Sequence, residues 1–230
     1  MKKRNLTIFF AASLGFYACT NAPDAEKATT SEAKEVAAAT GSDLKVDTNA
    51  SKVEWIGTKV SGYHTGSINI KNGTLRAVGD SLTGGNFVFD MKSMVISGPP
   101  ESDEKSNAKL LGHLKSPDFF DVEKFPEATF EITGVKPFTG TITDSNDVRQ
   151  VSINKYRVSN PTHMVSGNLT LKGVTKNIEF PAQISSSPSG IDALAKFNVD
   201  RTQWGIVYPG KPDDLIRKDI HLGIALKANK

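Results

Sequence analysis

Histidine and cysteine are the side chains that most readily ligate a metal or attack a carbonyl, and this chain scatters them. None of His64, His113, His163 and His221 lies three to five residues from another, the spacing a zinc-type ligand pair needs. No Gly-x-Ser-x-Gly elbow and no glycine-rich phosphate loop occurs. Cys19 is the one cysteine, so an intramolecular disulfide is excluded. Asp118, Asp121 and Glu123 crowd a proline-bounded turn, where capping and solvation account for them. Asp200 and Arg201 are adjacent, as a structural ion pair or a head-group contact would be. His64, between Gly62 and Gly66 and near Lys59, reads either as a turn histidine or as a polar contact at the mouth of a pocket. His113 reads chiefly as a partner of the turn at Pro117. No metal ligand set, cofactor fingerprint or catalytic nucleophile is written in the sequence, which counts against an enzyme.

The elements that would position such groups are mostly strands. Leu44–Val46 and Val53–Gly57 alternate apolar and polar residues around a turn at Asp47–Ser51. Ser67–Lys71 and Thr74–Val78 read as short strands parted by Gly73, and Gly79-Asp80 signals a hairpin. Gly84–Ile96 reads as one long strand with Phe87, Phe89 and Met91 on one face. Ser106–Leu114 carries Ala108, Leu111 and Leu114 at helical spacing. Pro117 and Pro126 then bar a continuous helix. Phe119 and Phe120 sit on that corner, one expected in a core and the other under the turn. Ala128, Phe130 and Ile132 resume the alternation, Val135–Phe138 and Thr141–Thr143 are short, and Val148–Val158 alternates irregularly. Met164–Leu171 and Thr175–Ile184 form a hairpin around Gly173, and Ile191–Asp200 and Asp219–Ala228 complete the set. Eight to ten strands with one short helix argue an antiparallel sandwich or barrel. Two features favour the barrel: aromatics gather on the inferred inner faces, and Gly57, Gly85, Gly167 and Gly223 fall within strands where corners would bend. Whether those aromatics fill a core or wall a hollow is left open by the pattern.

The first 43 residues read as an address and a leash. Met1–Asn5 is basic, and Leu6–Ala18 is an apolar run too short to span a bilayer and suited to a signal peptide. Phe16-Tyr17-Ala18-Cys19 resembles a loose bacterial lipobox, which would make residues 1–18 the signal peptide and Cys19 the acylated terminus. Residues 19–43, rich in Ala, Thr, Glu and Lys and without an aromatic, read as a flexible tether. Removing Lys2, Lys3 and Arg4 from 28 basic residues leaves 25 against 25 acidic ones. With no basic stripe interleaved with aromatics, nothing calls for nucleic acid.

Several motifs carry a resemblance. His113-Leu-Lys-Ser-Pro-Asp-Phe-Phe-Asp-Val-Glu-Lys-Phe-Pro126, then Ser166-Gly-Asn-Leu-Thr-Leu-Lys-Gly-Val-Thr-Lys176, then Val199-Asp-Arg-Thr-Gln-Trp-Gly205 resemble, in order, signatures of the YceI family. Thr83-Gly-Gly-Asn-Phe87 and Asp90-Met91 are similar to its long strand. Lys109-Leu-Leu-Gly112 stands where the family often has Arg and Asp, and Thr141–His163 looks like an insertion. The resemblance implies an all-β, antiparallel, roughly eight-stranded lipocalin-like barrel over residues 44–230 with one short helix. It implies a bound isoprenoid, quinone or fatty-acyl ligand, carried or stored without covalent chemistry and without a cofactor. Lipid contacts would fall to Trp55, Phe87, Phe89, Met91, Phe120, Phe130, Phe180, Phe197 and Trp204. Head-group contacts would fall to Lys59, His64, Lys109 and His113. The expected setting is the bacterial cell envelope, lipid-anchored at the outer membrane or facing the periplasm, with a homodimer left open. The competing readings are a structural or adhesion module with a filled core and, behind it, a lipid or glycan hydrolase.

Overall fold

Side chains alternate across a strand, so long runs of period two bury one face and wet the other. Here such runs are long enough for the sheet to close on itself. The structure, a computed structural model, describes residues 22–141 and 156–230. Its strands are β1 (Thr29–Glu32), β2 (Ser42–Val46), β3 (Lys52–Lys59), β4 (Gly62–Val78), β5 (Ser81–Gly98), β6 (Glu127–Pro137), β7 (His163–Leu171), β8 (Val174–Ser187), β9 (Gly190–Asp200) and β12 (Asp219–Asn229). A two-residue hairpin of β10 (Gly210–Lys211) and β11 (Asp214–Leu215) stands apart. The helix α1 (Glu104–Lys115) joins β5 to β6.

Closure comes through β2 and β3, which share one position in the wall. Both pair antiparallel with β4 and with β12, β2 at one end (Leu44 opposite Leu75, Val46 opposite Ala228) and β3 at the other (Trp55 opposite Gly66 and Leu222). Between them Asp47 turns the chain, its Oδ1 accepting from the Asn49 and Ala50 N–H groups at 3.0 and 3.1 Å. From there the order β4–β5–β6–β7–β8–β9–β12 returns to the start, an eight-stranded antiparallel barrel.

Several expectations need correction. The two short strands around Gly73 are one 17-residue strand, β4, and Val135–Pro137 belongs to β6. Register shifts within the β4–β5 pairing absorb the irregularities that broke the alternation. Ile142, Thr143 and the Val148–Lys155 part of the irregular stretch lie outside the described residues, as do the signal segment and Cys19.

The described part of the expected tether does not hang free. Thr29–Glu32 pairs with β8, Thr29 opposite Glu179 and Glu32 opposite Lys176. The Asn198 N–H donates to the Glu26 carbonyl and the Ala28 N–H donates to the Asn198 carbonyl, both at 2.8 Å. Main-chain hydrogen bonds and polar side-chain contacts, such as Asp24 with Arg157, hold this segment, and only Ala28 within residues 22–41 is buried, so hydropathy had nothing to register.

The helix is bounded as its sequence dictates. Asp103 caps it by accepting from the Ser106 N–H at 2.9 Å, and Ser116 Oγ donates to the His113 carbonyl at 2.8 Å at its end, one residue before Pro117. No α1 residue is fully buried. Leu110 and Leu114 nonetheless line the interior of the barrel, so the helix closes part of one end.

Candidate functional site

The barrel is hollow. About 250 Å³ of its interior is open to the centre of a water molecule. One water needs roughly 10–15 Å³ by that measure, so the space takes a ligand of many atoms. The wall is built from the inward residues of the barrel strands, and its two ends differ.

In the middle, aromatic rings run around the wall. Phe87 on β5, Phe130 on β6, Phe180 on β8 and Phe197 on β9 follow one another at centroid separations of 6.4, 5.8 and 4.1 Å, the last pair stacked. The strand skipped is β7, and glycine makes the skip possible. A Cβ on Gly167 would stand 2.2 Å from Phe130 Cζ, so the ring lies across β7 only because no side chain is there. Trp55 uses Gly66 in the same way: a Cβ there would stand 2.4 Å from the indole and 2.0 Å from the Val95 carbonyl oxygen. Trp55, Phe87, Phe89, Met91, Phe120 and Phe130 all line the cavity, as do Phe180, Phe197 and Trp204. Both members of the Phe119-Phe120 corner face it, with Phe119 the deeper at 4% exposure.

One end carries every ionisable group of the lining. These are Lys59, His64, Arg201 and Arg217, and among the described residues no carboxylate joins them. Hydrogen bonds tie this end together. The Arg217 N–H donates to the Thr58 carbonyl at 2.8 Å, and Arg201 Nε donates to the Arg217 carbonyl at 3.2 Å. Arg201 is buried and spends its other donors on the carbonyls of Ile206, Tyr208 and Ile216. Asp200 is no ion-pair partner for it. Its carboxylate accepts from the Thr202 N–H and hydroxyl at 2.9 and 2.6 Å and caps the 3-10 turn Arg201–Trp204. Burial lowers the Arg201 pKa from its usual value.

Lys59 is held by Asp214 at 2.5 Å, and that hydrogen bond, with the one from the Ser61 N–H, brings the Asp214 carboxyl down to about 2. Burial, then the Lys59 charge, lowers the His64 pKa, so the ring is neutral at neutral pH. His64 lies opposite Gly57, which has no side chain to compete for that space. Among the described residues, three that line the cavity have a buried side-chain polar atom without a hydrogen-bond partner: Trp55 Nε1, Thr58 Oγ1 and His64 Nδ1. An indole N–H can donate and an imidazole nitrogen can accept, so Trp55 and His64 offer a ligand one polar contact of each kind.

Two expected head-group residues are elsewhere. Lys109 is exposed on the helix, away from the lining. His113 also stays out of the lining and packs edge-on against Phe119 and Tyr208, with centroids at 5.0 and 4.7 Å, while its Nε2 lies 3.3 Å from Asp118 Oδ2. The helix turns the faces of Leu110 and Leu114 inward, and positions 109 and 113 each precede one of those leucines by one place, off that face.

Other lining residues escaped the sequence. Met94 lines the wall although strict alternation from Met91 would put it outside. Between Asp90 opposite Asn69 and Val95 opposite Ser67, β5 spends extra residues, and that irregularity inverts the phase. Arg217 gave no signal, because the loop that brings it to Thr58 follows no periodic element.

The comparisons agree with this geometry. Residues 44–228 match the YceI-like domain. The chain belongs to the YceI-like family. Among curated relatives, a UPF0312 protein of Pseudomonas putida (strain W619) is 30% identical over 155 residues, 59% of this chain and 66% of that one. A UPF0312 protein of Pseudomonas aeruginosa (strain LESB58) is 34% identical over 105 residues, 44% of each. The matched stretches thus span between about half and two thirds of these relatives. Among solved structures, BcnA of Burkholderia cenocepacia superposes with a TM-score of 0.57 at 15% identity, covering 80% of this chain and 99% of that one. A polyisoprenoid binding domain from Saccharophagus degradans, implicated in plant cell wall breakdown, superposes at 0.55 and 14% identity, covering 81% and 97%. At these identities the likeness is one of fold, and the fold is the YceI-like barrel.

Proposed function

We propose that this YceI-like protein binds a long-chain isoprenoid or a similar amphiphile, such as a quinone or a fatty-acyl lipid, and carries or stores it without covalent chemistry. The observation that carries the reading is the hollow barrel itself: an apolar wall with all its ionisable lining at one end. That polarity matches a ligand with a long apolar chain and a single polar head. Burial of apolar carbon contributes about 0.8 kcal/mol per CH₂, so a dozen carbons supply about 10 kcal/mol. Association costs roughly 4–15 kcal/mol, so only a long chain repays it. The head would lie at the end where Trp55 Nε1, His64 and the other ionisable lining residues gather. The polyisoprenoid-binding neighbour in Saccharophagus degradans supports the same ligand class.

The cellular setting belongs to the same reading. Export, acylation at Cys19 and attachment to an envelope membrane would keep the barrel beside the bilayer that holds its ligand. The test begins with the chain as cells make it. Purified protein is extracted with organic solvent and the extract analysed by mass spectrometry. A stoichiometric isoprenoid or acyl species, lost in a folded Phe89→Asp or Phe130→Asp variant, is expected. A protein that yields no lipid and shows no affinity for added isoprenoids or fatty acids would move the structural or adhesion module reading to the front.

A further inference from the structure

The barrel wall has a fork, and a separate piece of chain closes it. β8 and β9 pair from Ser187 opposite Gly190 up to Ala182 opposite Ala195, and there their ladder stops. The next inward residues, Phe180 and Phe197, still stack at 4.1 Å. Beyond them the strands part. β8 takes Thr29–Glu32 as its neighbour, while β9 bonds through Asn198 to Glu26 and Ala28. Residues 26–32 therefore stand in the wall between β8 and β9, with Ala28 at 4% exposure and packed into the barrel core.

The insert differs in kind from the strands beside it. It lies outside the matched family domain, which begins at residue 44. Ala28 is its one buried side chain. Its ion pairs, Lys27 with Asp219 and Glu32 with Lys176, are solvent-exposed on at least one side and screened accordingly. The flanking strands are bound through full ladders on their other edges, β8 to β7 and β9 to β12, independently of the insert. Strands lie 4.7–4.9 Å apart, so withdrawing one frees a slot about one strand spacing wide, roughly the thickness of one extended hydrocarbon chain. Ile178, Phe180 and Phe197, which line the cavity, flank that opening.

We propose that Glu26–Glu32 is a displaceable strand, and that its release from the fork between β8 and β9 opens a lateral passage for the apolar chain of the ligand. The proposal rests on the cavity-binding reading, from which its test is separable. In the full chain carrying Cys19→Ser, which has no other thiol, Thr29→Cys and Glu179→Cys are combined. These positions are direct cross-strand partners, within disulfide reach. The probes are cis-parinaric acid and a dansyl-labelled geranylgeraniol, delivered from phosphatidylcholine vesicles.

Oxidation should slow uptake and release at least tenfold at unchanged saturation, and reductant should restore both. Equal rates in the two redox states, with binding intact, would overturn the passage and leave the cavity reading standing. Failure of the reduced protein to take up either probe would overturn both. Should the paired variant fail to fold, amide exchange in the Cys19→Ser chain decides. The Ala28 and Asn198 amides should exchange well ahead of the Ile191–Ala195 ladder, and equal protection would overturn the proposal.

Discussion

At the scale of the residue, the polar interior splits by function. The cavity end uses atoms left unpaired, whereas the outer wall uses a histidine that is fully committed. His221 lies between Ile220 and Leu222, which face the cavity, so its ring faces outward. It is nevertheless 3% exposed, because Tyr156 packs edge-on against it and Asn198 Oδ1 lies 3.0 Å from Nδ1. Burial, aided by the Lys196 charge, pushes its pKa down to about 4. The unfolded chain binds a proton near pH 6.5, while the folded chain refuses it until about pH 4. Stability from this group is thus complete above pH 6.5 and is lost as pH falls through that window, by roughly 3 kcal/mol at most. His221→Gln keeps a donor for Asn198 and removes the titration. Melting curves from pH 7 to pH 4 should therefore fall less steeply for the variant than for the native chain, and parallel curves would refute the assignment.

At the scale of the element, glycines decide where the aromatics lie. β7 passes beneath the Phe130 ring at Gly167. In a filled core Gly167→Ala would cost about 1–3 kcal/mol by overpacking. Here the ring can swing into the cavity, so the loss should fall near the low end of that range, about 1 kcal/mol, and ligand space should shrink with it. Urea unfolding and probe titration measure the two effects. A filled core would show the larger stability loss with no change in binding. The strand pattern that placed Phe87, Phe89 and Phe130 inside was legible because alternation is a local property. Met94 was illegible because the phase inverts in the irregular stretch between Asp90 and Val95, and only the pairing partner reveals that. Lys109 and His113 were misplaced for a related reason: a short helix offers several faces, and the sequence does not say which one meets the barrel.

At the scale of the molecule, the hollow barrel links stability to occupancy. A ligand that binds only the folded chain adds about 2.7 kcal/mol at one hundred times its dissociation constant. Addition of a bound isoprenoid or fatty acid should raise the melting temperature with ligand concentration, and a short-chain homologue should not. A melting point indifferent to every long-chain lipid tested would count against the cavity as a binding site. The sequence by itself determined the antiparallel strands, the helix before Pro117, the family and most of the aromatic lining, because period-two alternation and turn residues are written locally. The tertiary structure alone decided three things: that the sheet closes around a hollow, that the basic lining gathers at one end, and that Glu26–Glu32 stands in the wall. Closure and hollowness depend on which strand edges meet and on how much volume the rings leave. The inserted strand is held largely by main-chain hydrogen bonds, which every residue type but proline can make and which composition therefore does not disclose.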